Sequence, residues 1–211
     1  MTTDQKDREY WERHSRGYDR SLRLLRKPLP RMLELTSNAV AGATRVLEVA
    51  AGTGLVTTVI AGVAREVVAT DYSDAMVALL ESRVRDRSLS NVTCERGDIY
   101  ALSYEPASFD AVVAANVLHL VPDFEGAVAA LRRVLRPGGK LVVPTFCHDQ
   151  TLGSAIVSRL LSLTGFPSHR RFTATSLREG LEGQGLCIET AETLEGLIPI
   201  GYVDGVFAAA S

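Results

Sequence analysis

The sequence predicts an α/β domain in which a mostly parallel sheet carries helices on both faces. Three observations lead there. From about Thr44 onward, short apolar runs alternate with helix-patterned segments, the order that builds parallel sheets. The run Val46–Val49 leads directly into a glycine turn and a helix pattern, Ala50-Ala51-Gly52-Thr53-Gly54-Leu55. Pro137-Gly138-Gly139 separates a helix pattern from the next apolar run, stopping one element and turning the chain into another.

The elements follow in order. Residues 1–40 form a separate unit with Tyr10, Trp11 and Tyr18 and a leucine-rich stretch, Leu22–Leu35, interrupted by Pro28 and Pro30; it reads as a helical lid over a main domain of residues 41–211. Strands are expected at Arg45–Ala50, Glu66–Asp71, Val92–Arg96, Phe109–Ala115, Gly139–Phe146, Leu186–Leu194 and Tyr202–Ala209. Helices are expected at Gly54–Val63, Asp74–Asp86, Phe124–Leu135 and Thr175–Gln184, with Ser73 or Asp74 able to cap the second. Residues 147–173 break the alternation and read as an insertion with an apolar helix, Leu152–Leu163.

Composition narrows the function. The chain has 211 residues, 46% hydrophobic and 23% charged, the mix of a self-folding globular protein with one core. A formal charge of −2 supplies no overall field for a polyanion, so nucleic acid is not expected as a partner. Cys94, Cys147 and Cys187 are odd in number, far apart and set in apolar or strand-like stretches, which points to neither a disulfide framework nor a zinc site and fits a reducing cytoplasm. The opening residues lack an apolar signal core, and no stretch reaches the roughly 20 apolar residues that span a bilayer. A monomer or a homodimer is expected.

The chemistry concentrates in Val46-Leu47-Glu48-Val49-Ala50-Ala51-Gly52-Thr53-Gly54. Glycines in such a turn let the backbone approach a ligand without a Cβ in the way, and the helix start presents unpaired N–H groups. Dinucleotide-binding folds use a glycine turn too, but their third glycine position falls here on Thr57, too bulky for that close packing. Glu48 before the turn would repel a pyrophosphate and could receive an ammonium, which suits a ligand with an amino-acid tail. A nicotinamide-dependent oxidoreductase is therefore the weaker alternative.

This stretch resembles motif I of the class I S-adenosylmethionine-dependent methyltransferases, and further motifs follow in the family's order over roughly Tyr10–Phe207. Val67-Val68-Ala69-Thr70-Asp71 resembles motif II, Gly97-Asp98-Ile99 the next, Phe109–Asn116 the fourth-strand motif, and Leu135-Arg136-Pro137-Gly138-Gly139-Lys140-Leu141 the turn before the fifth strand. The resemblance implies a Rossmann-like sheet of seven strands, the last antiparallel. It also implies that Asp71 binds both ribose hydroxyls, that Tyr72 and Met76 flank the adenine, and that Asp98 accepts from the adenine amino group with Ile99 packed on the ring. Glu48, Ala50, Ala51, Gly52, Thr53 and Gly54 of the turn, with Ala115 and Asn116, would also bind the cofactor. Ala50 departs from the usual first glycine of motif I.

Methyl transfer in this family is in-line attack on the sulfonium, so the protein mainly positions the acceptor. The loop after the fourth strand offers Asn116, Leu118 and His119; His119 could act as a base near neutral pH, and Tyr18 in Gly17-Tyr18-Asp19 resembles a lid tyrosine. His148 and His169, flanking the insertion, could reach the acceptor. No Asn/Asp-Pro-Pro-aromatic run and no Pro-Cys nucleophile pair is present, which leaves a small molecule, quinone- or lipid-like, as the expected acceptor and S-adenosylhomocysteine as the product. Arg13, Arg16, Arg20, Arg23 and Lys27 recur at three- and four-residue steps, a basic face able to rest on an anionic membrane surface. A non-catalytic protein that binds S-adenosylmethionine is the other reading.

Overall fold

The computed structural model describes residues 9–15, 27–162 and 169–208. Its elements are α1 (9–15), α2 (Leu29–Val40), β1 (Arg45–Val49), α3 (Leu55–Ile60), β2 (Glu66–Asp71), α4 (Asp74–Asp86), β3 (Val92–Arg96), β4 (Phe109–Val113), α5 (Phe124–Val134), β5 (Leu135–Phe146), α6 (Leu152–Ser162), α7 (Ala174–Gly183), β6 (Leu186–Leu194) and β7 (Ile200–Phe207).

The strands form one seven-stranded sheet in the order β3-β2-β1-β4-β5-β7-β6. β1 to β5 are parallel, and β7 runs antiparallel between β5 and β6. The central strands are apolar on both sides because each face is covered. Leu47, Val112 and Leu141 face a cluster with Phe124 and Leu131 of α5 and Leu177 and Leu181 of α7. Val46, Val67, Ala111 and Val142 face another with Met32 of α2, Val56 and Ile60 of α3 and Leu80 of α4. The sheet reverses its winding direction between β1 and β4, and a crevice opens beyond the carboxyl ends of strands at such a switch point.

Two departures from the sequence expectation have local causes. Pro28 is the N-cap of α2 and Pro30 lies within its first two positions, so these prolines begin a helix rather than interrupt one; a missing N–H is harmless in the first turn. Leu29, Met32, Thr36 and Val40 of that helix are buried, which makes α2 part of the layer beside α3. β5 begins at Leu135, opposite Phe109, and the register then jumps to Ala111 opposite Lys140. Residues Arg136–Gly139 bulge out of the ladder, with Gly138 at φ +73°; Pro-Gly-Gly makes this bulge instead of a connecting loop.

Candidate functional site

The turn after β1 bends the chain sharply. Ala50, Gly52 and Gly54 have φ values of +52°, +56° and +82°, in the left-handed region that penalises a side chain by roughly 1–2 kcal/mol. At Gly54 a Cβ would also lie 2.7 Å from Leu80 Cδ1. Ala50 occupies the same kind of backbone without glycine's freedom.

Backbone donors tie this turn to the end of β2. Ala51 N–H donates to Thr70 O (2.9 Å), and Gly52 N–H donates to Asp71 Oδ2 (2.8 Å). The other oxygen, Oδ1, accepts from Ser73 N–H at 2.9 Å. Asp71 is therefore fixed from both sides, and burial raises its pKa above the ordinary carboxylate value, opposed by those backbone N–H groups.

Around this carboxylate lies a cavity of about 140 Å³. Ala50, Gly52, Asp71, Tyr72, Met76, Asp98, Ile99, Ala115 and Asn116 all line it, drawn from the ends of β1, β2, β3 and β4. Asp98 Oδ1 accepts from Tyr100 N–H at 2.9 Å, which orients the carboxylate, while Arg96 sits over the Tyr72 ring at 5.8 Å. Asn116 turns away from β4 at φ +53° and donates its backbone N–H to Pro144 O at 2.7 Å. Its side-chain Oδ1 is buried with no hydrogen-bond partner among the described residues.

A family model described as a methyltransferase domain matches residues 47–143. This segment is similar to the methyltransferase domain family. The chain is 40% identical over 104 residues to a demethylmenaquinone methyltransferase of Renibacterium salmoninarum, covering 49% of this chain and 42% of that protein. It is 36% identical over 110 residues to a ubiquinone/menaquinone biosynthesis C-methyltransferase of Shewanella oneidensis, covering 50% of this chain and 44% of that one. The chain thus aligns with less than half the length of these relatives. Among solved structures, one described as a DhpI–SAH complex superposes with a TM-score of 0.75 at 23% identity, over 98% of both chains; it shares the fold.

Other expected residues of the methyltransferase domain stand apart from the cavity wall. Ala51, Thr53 and Gly54 shape the turn without lining the cavity. Glu48 is buried on the α3 side, where the Thr57 hydroxyl donates to its Oε2 at 2.6 Å. Burial raises its pKa to about 8, with the Thr57 hydrogen bond opposing, so the carboxyl is largely neutral at pH 7. Thr57, read from sequence only as too large for dinucleotide packing, is thus the partner of Glu48.

His119 also needs correction: its ring is buried and lies 5.1 Å from that of His148 and 6.2 Å from that of Phe146, and it is not among the cavity-lining residues. Burial, then the neighbouring His148, lowers its pKa well below the ordinary histidine value. Its titration therefore does not fall near neutral pH. His148 is lowered to about 4, first by burial and then by Arg171. His169 meets this loop through its backbone, donating N–H to His119 O at 3.0 Å. Tyr18 and the arginines at 16, 20 and 23 lie outside the described residues.

Sequence reasoning did not assign Trp11, Tyr100, Leu120, Val121 and Pro122, which also line the cavity. Tyr100 follows directly on the Gly97-Asp98-Ile99 motif, and its hydroxyl donates to Asp123 O (3.1 Å) and accepts from Asp123 N–H (3.0 Å). The apolar run after Asn116 was the available signal for Leu120, Val121 and Pro122. Among the described residues no helix is long and apolar enough to cross a membrane.

Proposed function

We propose that this chain transfers the methyl group of S-adenosylmethionine to a small-molecule acceptor and releases S-adenosylhomocysteine. The observation that carries the reading is Asp71: a buried carboxylate, fixed by Gly52 and Ser73 N–H groups, that still faces the cavity. Each oxygen has a further lone pair for a ribose hydroxyl, and two vicinal hydroxyls match that spacing.

The remaining lining residues fit the same ligand. Tyr72, Met76 and Ile99 supply apolar and aromatic surface for a purine, Asp98 an acceptor for its amino group, and the orphaned Asn116 Oδ1 an acceptor for a further donor. When bound, the cofactor supplies a methyl group activated on a sulfonium. The chain holds and orients the reacting partners, and the apolar Val117, Leu120 and Val121 exclude water from them. These walls favour an apolar or aromatic acceptor, and the quinone methyltransferases among the relatives support a quinone-like compound.

Calorimetric titration with S-adenosylhomocysteine tests the reading. Asp71→Asn should weaken binding ten- to a hundredfold, about what a charged hydrogen-bond partner contributes. Absence of binding to the wild type would sink the cofactor assignment. Binding without turnover on a panel of quinols and phenols would instead favour a non-catalytic binding protein.

A further inference from the structure

The N-terminal helix α1 carries two adjacent side chains with different tasks. Trp11 lines the cavity beside Asp71 and Tyr72. Glu12 points to the start of α4, where its Oε1 accepts from Asp74 N–H (2.9 Å) and the Ser73 hydroxyl (3.1 Å), and its Oε2 accepts from Ala75 N–H (3.3 Å). The first N–H groups of a helix have no partner within it, and negative charge is favoured there. Ser73 already caps Met76 N–H from within the chain; Glu12 completes the cap from another element, 61 residues away in sequence from Ser73.

We infer that Glu12 is a positioning residue: by latching α1 to the first turn of α4 it sets Trp11 as a wall of the cofactor pocket. The latch and the pocket share one segment. Ser73 donates its hydroxyl to Glu12 and its N–H to Asp71, so the same short stretch between β2 and α4 holds the lid and the cavity's principal carboxylate. α1 is braced for the task, with the His14 ring stacked on Tyr10 at 4.1 Å and Arg13 Nε donating to Glu9 O at 3.1 Å. Indole is large and flat, and packing it over a bound purine excludes water from one face of the ligand.

The inference rests on the cofactor reading for its ligand, but its first test does not. Trp11 is the chain's single tryptophan, so its fluorescence reports on this helix alone. In ligand-free protein, Glu12→Ala should shift the emission maximum to the red as the indole gains water, and Glu12→Gln, which keeps an acceptor oxygen, should restore part of the shift. S-adenosylhomocysteine affinity should fall about fivefold in Glu12→Ala, and Trp11→Ala combined with Glu12→Ala should lose no more than Trp11→Ala alone. An unchanged emission maximum in Glu12→Ala, or additive losses in the double variant, would overturn the latch. If the wild type fails to bind the ligand, the cofactor reading falls, while the ligand-free spectra still decide whether Glu12 places Trp11.

Discussion

Replacing Glu48 with Gln should make the protein's stability less dependent on pH, because the buried carboxyl holds a proton that the unfolded chain would release. Its folded pKa is about 8 against an ordinary value of 4.5. Between those values the folded state binds more protons than the unfolded one, so stability falls as pH rises through that window. From pH 5 to pH 8 the wild type should lose on the order of 3 kcal/mol through this residue, at most ~1.4 kcal/mol per pH unit. Gln keeps an oxygen for the Thr57 hydroxyl and has no such titration. Urea unfolding of both proteins at pH 5, 6, 7 and 8 isolates the residue, because other titrating groups cancel in the difference. Glu48→Gln should gain on the wild type steadily across the series. A difference that stays flat from pH 5 to pH 8 would show that Glu48 is ionised in the fold, and the account of its burial would be wrong.

Two further outcomes follow from the same kind of reasoning. Ala50→Gly, at φ +52°, should raise stability by about 0.5–1 kcal/mol in equilibrium unfolding, since relief of left-handed strain exceeds the added unfolded-state freedom; a loss would mean that the Ala50 methyl packs usefully. For His148, whose pKa drops to about 4, the sign is opposite to that of Glu48: the unfolded chain binds the proton first, so stability present above pH 6.5 disappears as pH falls toward 4. His148→Gln should retain roughly 2 kcal/mol of what the wild type loses over that interval, and parallel acid-unfolding curves would contradict it.

The covered strand β2 was readable because an apolar run fills its centre, and it begins and ends where the sequence places it. The edge strands β3 and β6 also begin and end as expected, although only part of each is buried. Helix α4 does likewise, since Ser73 is a side-chain cap that can be recognised locally. Boundaries set by tertiary pairing were less accessible: nothing local to Leu135 announces that it will pair with Phe109. The cavity residues on the motifs were legible because they stand at strand ends recognisable from the apolar runs before them, and Ala50 and Gly52 lie in a glycine turn. Glu48, Trp11 and His119 were not. Whether Glu48 meets a ligand or Thr57, and whether His119 reaches the cavity or packs under Phe146, depends on the direction of a side chain from a correctly placed backbone. The contact of Glu12 with the start of α4 joins elements that share no local pattern.

The antiparallel course of β7 has a practical consequence. Because Ile200 pairs with Phe146 and Val206 with Lys140, the chain enters this strand on the crevice side and leaves it at the opposite rim of the sheet. A fluorophore or affinity handle attached beyond Phe207 would therefore emerge on the far side of the molecule from Asp71 and Trp11, leaving ligand entry and the indole signal unobstructed.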